Sequence, residues 1–420
     1  MDRPTETGDD QRLRSFVEQF IRFETTAGNE RPAQQWFAEQ LAGMGLECCE
    51  WYADPAELAT HPSFPDDPDA IDVAGRPSVA GVAEFGNPES GPTLVLNGHA
   101  DVVPAAESSW SSDPFEPTWS EDGDRLTARG AVDMKAALAA CVLAVDRLRE
   151  SAHDLDGRVV VESVAGEEDG GIGAAAAALS NPYPFERDAA IVAEPTGLRP
   201  VIATEGTVMK RLRLEGRSAH AAMRWRGESV LPHFRHIHDA FLALERERAE
   251  RVTHPLYERF ENPWPVNVGV VRAGNWASSV PADLVAEIRI GVAPGESVDS
   301  VEREFHDRLD SVVADSEWLS THPPTFERFS VQFEPAEVDA DKPVVRALRE
   351  TLREHGLDDE PVGATYGADS RHYVEAGIPT VVFGPGRIEQ AHYPDETVEW
   401  NEVLTAVETI ANTAERFLLA

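Results

Sequence analysis

Lysine is almost missing from this chain of 420 residues: Lys135, Lys210 and Lys342 are the only three, and every other basic residue is arginine. Basic residues of both kinds number 37 against 75 acids, a formal net charge of −38. So acidic a chain repels phosphate, which excludes nucleic acid and anionic membranes as partners. The acids are spread along the whole sequence with no long acidic tail, so they describe a surface and not a disordered segment. Such a surface repels itself in dilute buffer and is relieved by strong screening. The expectation is a cytoplasmic protein of a high-salt organism.

Cysteine is scarce as well. Cys48, Cys49 and Cys141 form no CxxC pair. They build neither a zinc knot nor a disulfide framework, and reduced thiols in a cytosol are expected. Long apolar runs are also missing; the longest, 136–145, is far too short to span a bilayer. Residues 1–6 lack the basic start and apolar segment of a secretion signal. Apolar residues make up 42% of the chain, an ordinary globular share. The length suits two domains, or one domain carrying an insertion.

What is present is an alternation of strands and helices. Apolar spacing predicts helices over 11–23, 29–44, 131–149 and 172–179. β-rich apolar runs predict strands over 79–85, 93–96, 159–164 and 189–193. The stretch 51–76, rich in Pro, Asp and Ala, reads as a long surface loop, and 110–129 as an irregular loop. The pattern changes near Glu205. A strand at 208–214, a charged helix at 228–251, strands at 266–271 and 284–292, a helix at 298–313 and a last strand near 329–333 make a split βαβ layout. From Ala336 the first pattern returns, with helices at 343–355 and 370–376, a strand at 380–383 and a closing helix at 402–419. The reading is an α/β domain with helices on both faces of its sheet, built from 1–205 and 335–420 and interrupted by a compact domain at 206–334.

Acids and bases gather where sheet elements end. His99 and Asp101 follow the strand at 93–96; two residues apart, they face one side of an extended backbone. Asp133 opens a helix, where the dipole favours an anion. Glu167 and Glu168 follow a second strand, Glu194 a third, and His392 lies in the loop after a fourth. If these strands are parallel neighbours, their loops meet at one edge of the sheet. Two histidines and several carboxylates suit zinc or a similar divalent ion, and one shared carboxylate suits a metal pair. No Gly-x-Ser-x-Gly elbow occurs, which sets a serine hydrolase aside.

The motifs stand as Asn97-Gly98-His99-Ala100-Asp101, Gly130-Ala131-Val132-Asp133-Met134, Gly166-Glu167-Glu168, Ala193-Glu194-Pro195-Thr196 and Gly384-Pro385-Gly386 with Ala391-His392. In this order and over nearly the whole length, the chain resembles the dinuclear zinc amidohydrolases and metallopeptidases that include acetylornithine deacetylase, succinyl-diaminopimelate desuccinylase, aminoacylase and carboxypeptidase G. The resemblance implies a zinc-peptidase-like catalytic domain with a mixed sheet, and an inserted ferredoxin-like lid domain that dimerises. It implies two Zn2+, replaceable by Co2+. His99 and Glu194 would hold one ion, Glu168 and His392 the other, and Asp133 would bridge them across a cis Asp133–Met134 bond. Asp101 would orient His99, and Glu167 would be the general base. His220, in Gly216-Arg217-Ser218-Ala219-His220, matches the histidine that reaches a partner subunit's site in a homodimer. Arg289 falls where the family keeps an arginine for a substrate carboxylate. The chain departs from the family's usual residues just after His220 and just before Pro281, near the substrate. The implied activity is hydrolysis of the amide of an N-acyl amino acid, of deacetylase or desuccinylase type. Alternatives are a dipeptidase or carboxypeptidase of the same family, or a non-catalytic relative that binds an amino-acid conjugate.

The acidic surface generates a test that needs no substrate. Molar KCl is expected to raise the melting temperature by screening like charges; a melting curve that is flat or falls with salt speaks against a high-salt origin.

Overall fold

The computed structural model describes residues 8–151 and 154–419; residues 1–6, read above for a secretion signal, lie outside them. The chain builds a nine-stranded sheet, a four-stranded sheet and a small three-stranded sheet. Across the large sheet the order is Glu47–Trp51, Ser78–Phe85, Gly157–Val164, Thr93–His99, Ala189–Val192, Thr380–Val382, Val201–Thr204 and Ala336–Glu337, with Val362–Ala364 paired to Val201–Thr204. The middle four strands, Gly157–Val164 to Thr380–Val382, run parallel; His99 pairs with Val164, Asn97 with Val192 and Val382 with Val192. The outer pairs Glu47–Trp51 with Ser78–Phe85, and Val201–Thr204 with Ala336–Glu337, are antiparallel, so the sheet is mixed.

The middle strands are mostly apolar because both of their faces are covered. Leu94, Leu96, Val159, Val161 and Ile191 enter one core, beneath the helices Gly8–Ile21, Arg31–Gly43, Lys135–Ser151, Pro343–Glu354 and Trp400–Leu418. Their neighbours Val95, Val160, Val164 and Ala190 enter another, with residues of Ile172–Leu179 and with Tyr373. The helix Lys135–Ser151 lies deepest. Its small side chains let it approach the sheet closely, and Ala136, Ala137, Ala139 and Ala140 are all buried.

Several elements differ from the sequence reading. The stretch 51–76 is not merely a surface loop: Leu58, Phe64 and Ile71 are buried against the sheet face, isolated apolar residues that no periodicity reveals. Within 110–129, Thr118–Trp119 and Arg125–Thr127 pair with each other, and Arg125–Thr127 also pairs with Thr397–Glu399. The short strands Val201–Thr204 and Val362–Ala364 carry too few residues to show a period. The last strand of the inserted segment is Thr325–Arg328, not 329–333. It starts directly after Pro323-Pro324, and Phe333 makes only an isolated bridge to Thr207.

The four-stranded sheet holds Val266–Ala273, Asp283–Val292, Gly206–Glu215 and Thr325–Arg328 in that order, all antiparallel. With the helices Val230–Arg251 and Val298–Ala314 this is the ferredoxin-like arrangement, packed around its own core of Val208, Leu212, Phe241, Ile288 and Phe305. A third segment also ties this unit to the large sheet. After the long helix, Tyr257 and Trp264 are buried with Ala203 and Ala293, and the Tyr257 hydroxyl donates to the carbonyl of Ala364 at 2.9 Å.

Two of the three lysines are interior. Lys135 is buried and donates to the carbonyl of Phe23 at 2.8 Å; burial pushes it down to about 7. Lys210 is buried and paired with Glu302.

Candidate metal centre

Because the four middle strands are parallel, their C-terminal ends reach the same edge. His99 ends one strand, Glu167 and Glu168 lie in the turn after Gly157–Val164, Glu194 follows Ala189–Val192, and His392 follows Thr380–Val382. Asp133 joins them from a neighbouring turn. The helix begins at Lys135 and not at Asp133, and the Asp133–Met134 bond is cis.

Two donor groups share Asp133. His99, Asp133 and Glu194 form one, and Asp133, Glu168 and His392 the other; within each group the donor atoms lie within 4.8 Å of one another. The two oxygens of Asp133 divide between them. Oδ1 lies 2.9 Å from Nε2 of His99, and Oδ2 lies 3.4 Å from Nε2 of His392. Nε2 of His99 is also 3.7 Å from Glu194, and Nε2 of His392 is 3.1 Å from Glu168.

The charges of this cluster favour a cation. Burial and the nearby Asp133 hold Glu194 well above the usual carboxylate range, and burial raises Glu168. Burial raises Glu167 too, with Asp369 the next cause. His99 resists burial and is raised by Asp133, Glu194 and Asp101, while hydrogen bonding to Asp133 and Glu168 lifts His392 to about 10. Asp133, although buried, is held below its ordinary value by the two histidines. Acids outnumber bases in this mostly buried cluster, at whose open side His392 stands exposed, and the donors are imidazole nitrogens and carboxylate oxygens. That set fits two divalent ions with Asp133 between them.

Asp101 holds two parts of the centre at once. Its carbonyl oxygen lies 2.9 Å from Nδ1 of His99. A carbonyl only accepts, so Nδ1 carries a proton and Nε2 is left to face the cluster. Its carboxylate, 3.8 Å from that ring, instead accepts the N–H groups of Gly166, Glu167 and Glu168 at 2.8, 3.2 and 3.0 Å. These bonds bend the Glu167-Glu168 turn, and Gly166 at φ +77° supplies the left-handed residue it needs.

Two buried acids escaped the sequence reading. Glu396, four residues beyond His392, accepts from Arg129 Nη1 at 2.7 Å and from the N–H groups of Gly130, Val132 and Asp133 at 3.1, 2.7 and 3.0 Å. One carboxylate thus ties the His392 loop to the turn that presents Asp133. Burial and the charge of Asp133 push it up to about 7. Asp369, in Gly367-Ala368-Asp369-Ser370-Arg371, is buried with neither carboxylate oxygen hydrogen-bonded among the described residues. The only signal either acid offers in the sequence is its place in a loop after a strand.

The remaining expected residues stand apart from the cluster. His220 is exposed, and its ring accepts the N–H of Ala222 at 3.1 Å. Arg289 is part-exposed, and its guanidinium donates two bonds of 3.2 and 3.1 Å to buried Glu205. Burial raises Glu205 to about 7 in spite of that partner.

A mixed α/β sheet with this donor set at one edge defines a metal-dependent hydrolase. The chain belongs to peptidase family M20/M25/M40, whose profile matches residues 95–416. It is a hydrolase of amide bonds. Acetylornithine deacetylase from Edwardsiella ictaluri is 29% identical over 323 residues, 75% of this chain and 77% of that one. N-formyl-4-amino-5-aminomethyl-2-methylpyrimidine deformylase from Halalkalibacterium halodurans is 27% identical over 424 residues, 95% of this chain and 93% of that one. The fold is shared with an M20 family metallo-carboxypeptidase from Sulfolobus solfataricus, at a TM-score of 0.74 and 17% identity, covering 97% of this chain and 99% of that one.

The Glu396 tether yields a measurable consequence. Glu396→Ala strips four buried donors of their acceptor, and each unmet group costs about 1–3 kcal/mol. The variant is expected to melt lower and bind less metal, with Glu396→Gln between it and the parent, as read by thermal unfolding and elemental analysis. A parent-like metal content in stable Glu396→Ala would show that the tether does not position Asp133.

Proposed function

We propose that the protein is a dinuclear zinc enzyme that removes an acyl group from the nitrogen of an amino acid or a related small amine. The observation that carries this is the sharing of Asp133 between the two donor groups, with Glu167 beside them. His99 and Glu194 would hold one Zn2+, Glu168 and His392 the other, and Asp133 would bridge; Co2+ would serve in their place. When bound, the metal pair would lower the pKa of a water and polarise the scissile carbonyl.

Everything else falls to the chain's own groups. Glu167 takes a proton from the attacking water onto its carboxylate and passes it to the leaving nitrogen, so that a carboxylate and a free amine depart. Asp101 keeps His99 in the tautomer that presents Nε2, and through its carboxylate it aims the Glu167-Glu168 turn. Glu396 keeps Asp133 in place. The names of the two curated relatives, a deacetylase and a deformylase, support removal of a small acyl group over peptide cleavage.

We read residues 206–334 as an inserted domain that forms a homodimer and carries His220 to the partner's centre, where it would steady the developing oxyanion. Trp225 and Trp276, 70% and 72% exposed, and half-exposed Leu231 and Val271 support such an interface on this domain. A cytoplasmic location suits the three free cysteines. No helix among the described residues is long and apolar enough to cross a membrane.

The adjacent glutamates separate the roles. Chelation is expected to abolish hydrolysis of N-acetylornithine, and zinc or cobalt to restore it. Glu167→Gln should keep its metal and lose at least about a hundredfold in kcat, whereas Glu168→Ala should lose metal on elemental analysis. An active Glu167→Gln removes the general base from this scheme, and full turnover by protein proven free of metal removes the scheme itself.

The placement of His220 has its own test. Mixed after subunit exchange, inactive His220→Ala and inactive Glu167→Gln should regain activity, because one site in the heterodimer receives both intact residues. No recovery after proven exchange rejects action in trans.

A further inference from the structure

A general base has to keep its aim, and Asp101 holds only the near end of the turn that carries Glu167. The far end closes on the carbonyl of Glu167 itself, which accepts from the N–H groups of Gly170 and Gly171 at 2.8 and 3.0 Å. The carbonyl of Gly170 is bonded from outside the turn. Arg371 Nη2 donates to it at 2.6 Å, and His372 Nε2 stands 3.3 Å from the same oxygen. A carbonyl only accepts, so His372 carries its proton on Nε2. Burial and then the charge of Arg371 keep that ring neutral.

Three segments converge on this point. A side chain at Gly171 would collide with Asp369 and His372, and one at Gly170 with Val331. The backbone of the turn therefore lies directly against the start of the helix Ser370–Glu375 and against the segment by which the chain leaves the inserted unit. The Arg371 guanidinium lies over the ring of Phe333, 4.0 Å from its centre. Phe333 in turn exchanges backbone bonds of 2.7 and 3.0 Å with Thr207, where the chain enters that unit. Arg371 is buried, and its Nε and Nη1 make no hydrogen bond among the described residues. Burial pulls it below its ordinary value, and Asp369 and then Glu167 are the charges that oppose this. Neither oxygen of Asp369 is hydrogen-bonded among the described residues, so the two act on each other through space. A guanidinium is costly to bury, and this one spends its single bond on the turn of the general base.

We propose that Arg371 is a positioning residue for Glu167: its bond to Gly170 fixes the far end of the turn as Asp101 fixes the near end, and Phe333 holds the guanidinium in place for that bond. The inference rests on the role given to Glu167 in the amide-hydrolase reading and deepens it. Arg371 acts through Gly170 and not on the substrate. Its loss frees the end of the turn at 170–171. Glu168 stays tied through its backbone to Asp101 and through its carboxylate to the metal, so metal binding survives while the base loses its direction. A base displaced by even 1 Å is a poor base.

Two readouts on the full, metal-loaded protein test this. The first is kinetic. In Arg371→Ala, kcat for N-acetylornithine is expected to fall by about ten- to a hundredfold, with KM and metal content near the parent's. Arg371→Lys keeps a cationic donor and should recover part of the loss, and Phe333→Leu should show the same signature more weakly. The second is amide hydrogen exchange read by mass spectrometry, in which peptides covering 166–171 should exchange faster in Arg371→Ala. That variant leaves Asp369 without its cation. Asp369→Asn combined with Arg371→Met removes both charges, so no charge is stranded, and it should show the same two changes even if the single variant does not fold. Parent-like kcat, or unchanged exchange at 166–171, overturns the proposal. A fall in kcat that comes with loss of metal, or with faster exchange along the whole chain, makes Arg371 a structural peg and overturns it too. Faster exchange confined to 166–171, in a protein whose parent hydrolyses no amide, supports the hold on the turn and rejects the hydrolase reading.

Discussion

Carboxylates crowded into a buried space repel one another and resist ionisation, and the edge of the large sheet has to hold several of them there without dispersing them. Two further buried carboxylates, Asp101 and Glu396, achieve much of this by gripping backbone, Glu396 with the Arg129 guanidinium as well. Asp101 gathers the N–H groups of residues 166–168, and Glu396 those of 130, 132 and 133. Each directs its oxygens at amide dipoles that cannot ionise or drift away. The loops bearing Glu167, Glu168 and Asp133 therefore keep their shape while the acids they carry repel. Parallel strands set where the loops begin; these two acids set how they turn.

The inserted unit adds a second layer of control. Its bond to the rest of the chain includes an ion pair, Arg289 with Glu205, at the point where the large sheet hands over to the four-stranded one. Breaking a buried pair of this kind leaves a charge stranded in a dry place, which is far costlier than never having had the pair. Glu205 is thus better understood as an anchor of the junction than as a surface acid. Arg289 supplies the other half of that anchor.

Much of this is legible in the sequence for a physical reason. Buried parallel strands are largely apolar, so 93–96, 159–164 and 189–193 announce themselves, and the acids and bases just beyond them inherit their positions from the sheet. Helix Lys135–Ser151 is equally plain from its alanine-rich apolar run, although Asp133 precedes it. Other features leave no such mark. Leu58, Phe64 and Ile71 are single apolar residues among prolines and aspartates, and the contacts that bury them are distant in sequence. Val362–Ala364 is too short to carry a period. Glu396 and Asp369 look like any loop acid until the fold removes their water. The guanidinium of Arg289 can be placed on a strand, but its choice of Glu205 depends on how two units meet.

The segment bearing Tyr257 and Trp264 changes what kind of motion the inserted unit can make. Two connections at the ends of an insertion act as a hinge, about which a lid could swing freely. Here a third attachment joins them: Tyr257 and Trp264 are buried with Ala203 of the large sheet, and the Tyr257 hydroxyl bonds to Ala364. A wide swing would drag those rings into water, and each buries about 150–250 Å². The third attachment therefore adds the cost of uncovering aromatic surface to any swing that would pull it away.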